Sequence, residues 1–374
     1  MTINVINNEE RRGPGLWKFN SNLLTNHEYT QKVTELIQSL KTEHNTMNAH
    51  QKWEFIKYKI REYSIRFAKQ QARSRRFKQK ELYNKLTTIE QQIDQNNDSN
   101  EVEHLLNKLN MTRKELEHLE KIEAYGRYIR SKAFFLEHDQ KNSAIFLSLE
   151  KKNYDNKNIR RLIDSKGRPI TKPKEILQET ANFYKSLYDT DNNVSDDFYE
   201  EFFKPDKIPQ IDDNSRVSLN QPLTEPELKK SIHIMKCNKT PGTDGLTKEF
   251  YAFFWNQIKE CLIESYNLSF KEGHLSFEQR RGVIRLLPKK DKDTSSLKNW
   301  RPISLLNVNT KILTNCLAQR LQKVLPSIIH NDQNGFLKNR FIGTNIRAII
   351  DSIDYLNREK KEALLAFIDF ENAF

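Results

Sequence analysis

Proline and glycine are almost missing from the first part of this sequence. Between Glu28 and Asn153 the chain contains no proline and one glycine, Gly126, and it is rich in Lys, Glu, Gln and Leu. These four residues have high helix propensity, whereas proline and glycine interrupt helices. The composition of this stretch therefore predicts long helices.

Apolar residues in this stretch recur at helical spacing. The first stripe consists of Trp53, Ile56, Ile60, Tyr63 and Phe67. A second stripe, shifted in phase, consists of Leu82, Leu86, Ile89 and Ile93. The polar segment 94–100 interrupts the pattern, which starts again with Leu105, Leu109, Leu116 and Leu119. This arrangement predicts an antiparallel, coiled-coil-like helical hairpin.

The charge of the chain, +12 overall, is concentrated in two regions. Residues 51–90 hold twelve Lys or Arg against four Glu, and residues 271–320 hold eleven against four acidic residues. Residues 187–230 between them are acidic, with eleven Asp or Glu against five basic residues. Two basic regions favour contact with a polyanion, most simply nucleic acid. An ordinary solvated basic protein remains the alternative.

The sequence RFAKQQARSRRFKQK, residues 66–80, carries the densest positive charge. One interpretation is that it follows a phosphate backbone, with an aromatic side chain available for packing or base stacking. The other is a solvated helix face whose Phe67 and Phe77 belong to the hairpin seam. Under the first interpretation the candidate nucleic-acid contacts are Arg73, Arg75, Arg76 and Lys78.

Several classes of protein are disfavoured by the sequence. Cys237, Cys261 and Cys316 are far apart, which argues for a reducing compartment and against a disulfide framework or a zinc site. No window approaches 18 apolar residues, and the N-terminus has no apolar signal core. We expect a soluble intracellular protein of the nucleus or cytoplasm, with no membrane contact.

Downstream of the predicted hairpin the pattern becomes mixed. Residues 159–188 predict a short strand, a turn at Gly167, a second strand and a helix, and residues 189–222 predict an acidic connector. From Thr224 onward helices alternate with a β-hairpin formed by RRGVIRLLPKK and WRPISLLN. The terminal LLAFIDFENAF predicts a buried strand carrying Asp369. This order predicts an α+β fold.

Four motifs occur in a specific order: PGTDG, then LLPKK paired with NWRPISLLN, then DQNGF, then FIDFENAF. The succession resembles the fingers and early palm of the reverse transcriptases of LINE-type, non-LTR retrotransposon polyproteins. The implied fold is a long helical hairpin followed by the fingers and first palm strand of a right-hand polymerase. In PGTDG we predict turns with positive φ at Gly242 and Gly245, and capping of backbone N–H groups by Asp244.

The resemblance also implies a division into domains. Residues 1–25, with GPGLWKFNSNLL, resemble the trailing edge of an apurinic-endonuclease-like domain whose remainder is missing here. Residues 26–158 correspond to a helical basic linker. Residues 159–222 correspond to an N-terminal extension and acidic connector, and residues 223–374 to a partial reverse transcriptase domain.

Individual positions take roles from the same resemblance. Asp369 matches the first catalytic aspartate, a ligand of the two divalent ions, Mg²⁺, that phosphoryl transfer uses. Phe374 matches the aromatic that excludes a ribose 2′-hydroxyl. Lys289 and Arg301 match the contacts to the phosphates of the incoming dNTP, although hairpin cations are more often solvent-exposed decoration. Arg340 is placed near the template or primer.

The Y-x-D-D motif that carries the second catalytic carboxylates in this family does not occur in residues 1–374. The adjacent aspartates at 196–197 and 212–213 lie upstream, without strand pattern, and are not expected to bind metal. The sequence thus predicts a fragment of an RNA-directed DNA polymerase that binds RNA template, DNA primer and dNTP but is inactive alone. The alternative is an RNA-binding helical module without catalysis. A purely structural coiled coil does not explain the ordered motifs.

Overall fold

The computed structural model describes residues 15–43, 46–96, 98–131, 159–189 and 209–368, with positions 197, 200 and 201. These residues are mostly helical and contain two two-stranded antiparallel sheets, which is compatible with an α+β fragment. The chain forms two compact units. The first consists of Met1–Asp191 and Ile232–Thr310, and the second of Asn192–Ser231 and Lys311–Phe374.

The first unit contains most of the regular structure. A 3₁₀ helix, Ser21–Thr25, is followed by α1 (His27–Glu43), α2 (Ala49–Gln95) and α3 (Ser99–Ser131). Next come β1 (Leu162–Ile163), β2 (Pro169–Ile170) and α4 (Pro173–Tyr188).

The later part of the chain is divided between the two units. Its first helices are α5 (Asp213–Asn220), α6 (Glu225–Ile234), α7 (Lys248–Phe253), α8 (Trp255–Glu272) and α9 (Phe277–Arg280). The remaining elements are β3 (Gly282–Pro288), β4 (Trp300–Leu306), α10 (Val308–Ile328) and α11 (Gly343–Glu359). Helices α5 and α11 and most of α6 and α10 belong to the second unit.

The predicted helical hairpin is confirmed as α2 and α3, which are separated by the polar segment 96–98. Its seam is closed by buried leucine and isoleucine side chains: Leu82, Ile89, Leu109 and Leu116. Two ion pairs cross it, Lys78–Glu115 at 2.5 Å and Arg113–Glu90 at 2.9 Å. The first apolar stripe does not take part, because its residues pack on other elements of the first unit.

That first stripe helps to form an aromatic core. The ring centroid of Trp53 lies 6.2 Å from that of Tyr251, and the ring of Phe67 lies 5.3 Å from Tyr29. Trp53 and Tyr251 are fully buried. Burial raises the pKa of Tyr29 to about 12, although its hydroxyl hydrogen-bonds Ser64 Oγ at 2.6 Å. The first half of α2 is therefore a core helix of the first unit.

The predicted strand, turn, strand and helix of residues 159–188 are confirmed as β1, β2 and α4, and Gly167 has a φ of +78°. This small module packs against the loop between β3 and β4. Its Leu162 and Ile176 are buried in one cluster with Leu297 and Trp300. The backbone N–H of Ile163 donates to the carbonyl of Ser295 at 2.9 Å, which fixes the two hairpins to each other.

The segment before the 3₁₀ helix also packs inside the first unit. Phe19 is 2% exposed and lies 5.4 Å from the Phe250 ring. Its backbone N–H donates to the carbonyl of Gly245 at 2.9 Å. The aromatic side chains of this segment thus find partners within the chain, while the assignment of residues 1–25 to an endonuclease edge stays a prediction.

The second unit is held around Arg320, whose side chain is 7% exposed. Its guanidinium pairs with both carboxylate oxygens of Glu227, at 2.7 and 2.8 Å. It also donates to the carbonyls of three residues that precede α6: Leu219, Gln221 and Pro222. At the start of α5, Asp212 Oδ1 accepts a hydrogen bond from the Ser215 N–H, so this aspartate has a capping role.

We expect Glu227→Gln to lower the stability of the second unit by about 1–2 kcal/mol at neutral pH, because a hydrogen bond to a charged partner is replaced by a weaker one at a site that solvent partly screens. The Arg320 guanidinium lowers the pKa of Glu227 to about 2, from 4.5 in the unfolded chain. The native carboxylate therefore contributes stability above pH 4.5 that is lost as the pH falls towards 2. Urea unfolding at several pH values should show this loss in the wild type and a flatter profile in the variant; identical profiles would contradict the assignment.

One sequence prediction is corrected at the end of the described chain. Residues 361–368 are irregular rather than strand, and Leu364, Phe367 and Ile368 are each at least 80% exposed. A strand is stable only when its backbone groups pair with those of a neighbouring strand. Among the described residues, β1 pairs with β2 and β3 pairs with β4. Among the described helices, none combines the length and the apolar character that crossing a membrane requires.

Candidate functional site

The predicted hairpin of β3 and β4 is confirmed, with an antiparallel register that pairs Gly282 with Leu306 and Pro288 with Trp300. Beyond the last pair, the Lys289 N–H donates to the carbonyl of Asn299 at 2.8 Å, which extends the ladder by one position. Because side chains alternate along a strand, the register assigns every residue to one of two faces.

One face of the hairpin is anchored. It carries Leu286 and Trp300, which belong to the cluster formed with β1 and α4. The Trp300 indole N–H donates to the carbonyl of Thr294 at 2.9 Å, so the loop between the strands is tied to the same face. The hairpin thus has one anchored face and one open face.

The open face brings the two predicted phosphate contacts together. Arg301 is paired with Leu287, so Arg301 and Lys289 are diagonal neighbours on this face, with β-carbons roughly 7 Å apart. Arg301 is exposed and Lys289 is half-buried. No described carboxylate lies within ion-pair distance of either residue. Two unpaired cations at this separation can bind one polyphosphate.

A third cation on this face was missed by the sequence reasoning. Arg285 is paired with Ile303, which puts it on the open face two positions from Leu287. Its side chain is exposed and has no described carboxylate partner. The alternation of RRGVIRLLPKK could have identified it, since residues 285, 287 and 289 must share a face once the strand is accepted.

The PGTDG loop is held against the end of β4 by Asn307. This side chain accepts hydrogen bonds from Thr243 Oγ1 and from the Asp244 N–H, both at 3.1 Å, and donates to the carbonyl of Glu278 at 2.8 Å. Asn307 is fully buried. Two motifs that are more than 50 residues apart in sequence are therefore adjacent in the first unit.

The two glycines of the loop have different reasons for being glycine. Gly245 has a φ of +75°, as predicted. Gly242 does not adopt a positive φ, and that part of the prediction is wrong. It is glycine because a β-carbon would lie 2.3 Å from Asn307 Oδ1 and 2.5 Å from the Asn307 backbone nitrogen. Asp244 caps the loop as predicted, since its Oδ1 accepts from the Leu246 N–H at 3.1 Å.

Asp244 also has an unexpected partner on α2. The ammonium group of Lys57 lies 3.6 Å from Asp244 Oδ2 and 2.8 Å from Glu54 Oε2, and the Lys57 side chain is 3% exposed. Burial raises the pKa of the Asp244 carboxyl, and the Lys57 charge offsets part of that rise. The PGTDG loop is thus locked to α2 by a buried ion pair.

Three predicted site residues follow the β3–β4 hairpin in the chain: Asp369, Phe374 and Arg340. Asp369 and Phe374 lie outside the described residues, so their roles stay predictions. Arg340 donates to the backbone carbonyls of Ile329, His330 and Gln333, so its guanidinium is occupied in holding the end of α10. In the described part of the chain, no three His, Cys, Asp or Glu side chains gather as metal ligands, and we therefore derive no step through a metal.

The four basic candidates on α2 do not share one face. With about 100° between successive residues, Arg73 and Arg76 point away from the seam with α3, while Arg75 is turned well away from them. Lys78 points towards α3 and is paired with Glu115. Arg73 and Arg76 have no described acidic partner and are exposed. The structure therefore favours Arg73 and Arg76, and not Lys78, as contacts for an external anion.

Known proteins provide an independent comparison. Residues 287–374, which begin inside β3 and include Lys289 and Arg301 but not Arg285, match the family described as reverse transcriptase (RNA-dependent DNA polymerase). The chain is therefore a reverse transcriptase sequence over this segment. It is 31% identical over 363 residues, 96% of its length, to the uncharacterized 149 kDa protein of transposon TX1 from Xenopus laevis. It is 27% identical over 184 residues to a Pol polyprotein from the type-1 retrotransposable element R1 of Bradysia coprophila.

These similarities confirm the predicted resemblance to the reverse transcriptases of non-LTR retrotransposons. The chain spans 27% of the length of the Xenopus protein and 17% of the Bradysia protein. Reverse transcriptase domains bind nucleic acid and nucleotides and generally use divalent metal ions.

Proposed function

We propose that this chain provides the nucleotide-binding hairpin of an RNA-directed DNA polymerase with right-hand architecture. The observation that carries the proposal is the open face of the β3–β4 hairpin, where Arg285, Lys289 and Arg301 have no acidic partner among the described residues. An Arg fork and a Lys point charge complement the oxygens of a triphosphate. The family match begins within this hairpin, which supports the same assignment.

The anchored face of the hairpin suits this role. Nucleotide contacts need fixed donors, because flexible side chains lose entropy on binding. Trp300 and Leu286 hold the hairpin through the buried cluster, and the Ile163 N–H ties its loop to β1. The backbone that carries the three cationic side chains is therefore already positioned when the dNTP binds.

The chemical step is assigned by resemblance alone. Asp369 is proposed as a ligand of Mg²⁺ and Phe374 as the residue that excludes a ribose 2′-hydroxyl. When bound, the metal ions would stabilise the developing charge on the transferred phosphate. Since Y-x-D-D does not occur in residues 1–374, we propose that this chain by itself does not extend a primer. Clear DNA synthesis by the isolated chain on a primed RNA template with Mg²⁺ would refute that part.

The nucleotide proposal is tested by equilibrium binding of a fluorescent dNTP to the full chain. We expect the double variant Lys289→Gln/Arg301→Gln to bind at least about tenfold more weakly, because each position loses a charge-assisted contact. Arg285→Gln is expected to show a smaller loss. The matched control is Lys229→Gln/Lys230→Gln, which removes the same charge from exposed positions of α6.

Comparable weakening in the control would mean that net charge, and not the hairpin, binds the nucleotide. Unchanged affinity in the hairpin variant would refute the site. The alternative function, an RNA-binding helical module without catalysis, predicts no dNTP binding above the control level.

A further inference from the structure

A stripe of cations runs along the middle of α2. With about 100° between successive residues, Lys69, Arg73, Arg76 and Lys80 fall within a sector of about 60° and span about 16 Å of helix axis. We call these four residues the α2 stripe. All four side chains are exposed.

The α2 stripe points away from every described partner of the helix. The buried residues of α2 on either side of it, Phe67 and Leu82, lie on roughly the opposite face. Two acidic residues of α3 pair with residues of α2 outside the stripe, Glu115 with Lys78 and Glu120 with Tyr83. No described carboxylate lies within ion-pair distance of a stripe residue. The charge of the stripe is therefore not neutralised within the described part of the protein.

An exposed aromatic ring lies beside the stripe. Phe77 is 73% exposed, and it follows Arg73 by one helical turn, so the two side chains are neighbours. The solvated-face interpretation placed both aromatic side chains in the hairpin seam, but Phe67 is buried against Tyr29 in the core of the first unit and Phe77 is exposed. An exposed phenyl ring among unpaired cations has no role in the packing of this hairpin.

We propose that the α2 stripe and Phe77 form a binding site for single-stranded RNA. Proteins that bind single strands combine a row of cations along the backbone with an aromatic side chain on which a base stacks. A duplex would use the cations but keep its bases stacked internally, so Phe77 would have no partner. The proposal goes beyond the polymerase function, since it requires neither dNTP nor DNA synthesis.

The test is the binding of a fluorescein-labelled, unstructured 20-nucleotide RNA to the full chain, followed by anisotropy between 50 and 300 mM KCl. The stripe variant is Lys69→Gln/Arg73→Gln/Arg76→Gln/Lys80→Gln. Loss of four phosphate contacts should reduce the salt slope by about 3 and weaken binding about 100-fold or more at 100 mM salt. Circular dichroism verifies that the helices are intact.

The matched control removes four positive charges from helices α2 and α3 at positions outside the stripe: Arg75→Gln/Lys108→Gln/Lys114→Gln/Lys121→Gln. These side chains are exposed as well. Less than a threefold effect is expected for this control. Equal losses in the two quadruple variants would overturn the site, because they would reveal binding by overall charge.

A second experiment tests the contribution of Phe77. Phe77→Ala should weaken single-stranded RNA about tenfold, Phe77→Trp should restore it, and neither change should affect duplex RNA of the same length. An unchanged affinity of Phe77→Ala for the single strand would overturn the stacking role. The stripe variant should still bind fluorescent dNTP like the wild type, so failure of the RNA site and failure of the nucleotide site are separate results.

Discussion

Replacing Gly242 by alanine is expected to destabilise the first unit by about 3 kcal/mol or more. The new β-carbon would lie 2.3 Å from Asn307 Oδ1, 2.5 Å from the Asn307 nitrogen and 2.6 Å from the carbonyl carbon of Leu306. Two of these three atoms are backbone at the end of β4, so a side-chain rotation cannot relieve the contact. Overpacking of this kind costs about 1–3 kcal/mol when the neighbours adjust, and more when they cannot.

Gly335→Ala is the matched control for this change. No heavy atom lies within 4 Å of the position that its β-carbon would take, and its φ is not positive. We expect an unchanged or slightly raised stability, because alanine restricts the unfolded chain. Urea unfolding followed by circular dichroism measures both variants. A Gly242→Ala protein as stable as the control would show that the PGTDG loop is not held against Asn307.

Lys57→Met is expected to cost about 3–5 kcal/mol at pH 7. The change leaves the Asp244 carboxylate buried without its cation, and an uncompensated buried charge is strongly destabilising. Methionine keeps most of the volume and apolar stem of lysine, so the loss reports the charge and not a cavity. Lys59→Met, on the exposed side of α2, should cost less than about 1 kcal/mol.

The pH dependence separates this ion pair from simple packing. Burial raises the pKa of Asp244 above its ordinary value, 3.8, so the native state binds the proton more tightly than the unfolded state. The contribution of this group is greatest below pH 3.8 and is lost as the pH rises through the native pKa. In Lys57→Met that pKa rises further, so the variant should be close to wild-type stability at pH 4 and far below it at pH 7. Equal losses at both pH values, or no rescue by Asp244→Asn, would contradict the pairing.

The regular structure of the chain was largely predictable from sequence. The stripe that begins at Trp53, the break at residues 94–100 and the pair of motifs LLPKK and WRPISLLN correctly indicated helices and a hairpin, because local periodicity determines them. These features depend on interactions between residues that are close together in the sequence.

What the sequence did not reveal depends on contacts between distant segments. Lys57 is one of twelve basic residues in its region, and its burial becomes visible only when Asp244 is placed beside it. Gly242 was assigned to a turn because its true constraint, Asn307, is remote in sequence. Arg340 resembles a surface cation until the carbonyls at the end of α10 are placed around it. Tertiary packing decided all three positions.

The hydrogen bonds that join α2 to the later motifs connect residues 182 to 222 positions apart: Arg61 to Thr243, His50 to Ser265 and Glu54 to Ser276. At a synthesis rate of about 5–20 residues per second, α1 and α2 leave the ribosome roughly 10–40 s before these partners exist. During that interval Trp53 lacks its later partner Tyr251, whereas Tyr29 already has Phe67 and Ser64 on α2. The first unit joins these helices to residues 232–310, whereas the family match begins at residue 287, so sequence homology and folding divide this chain at different places.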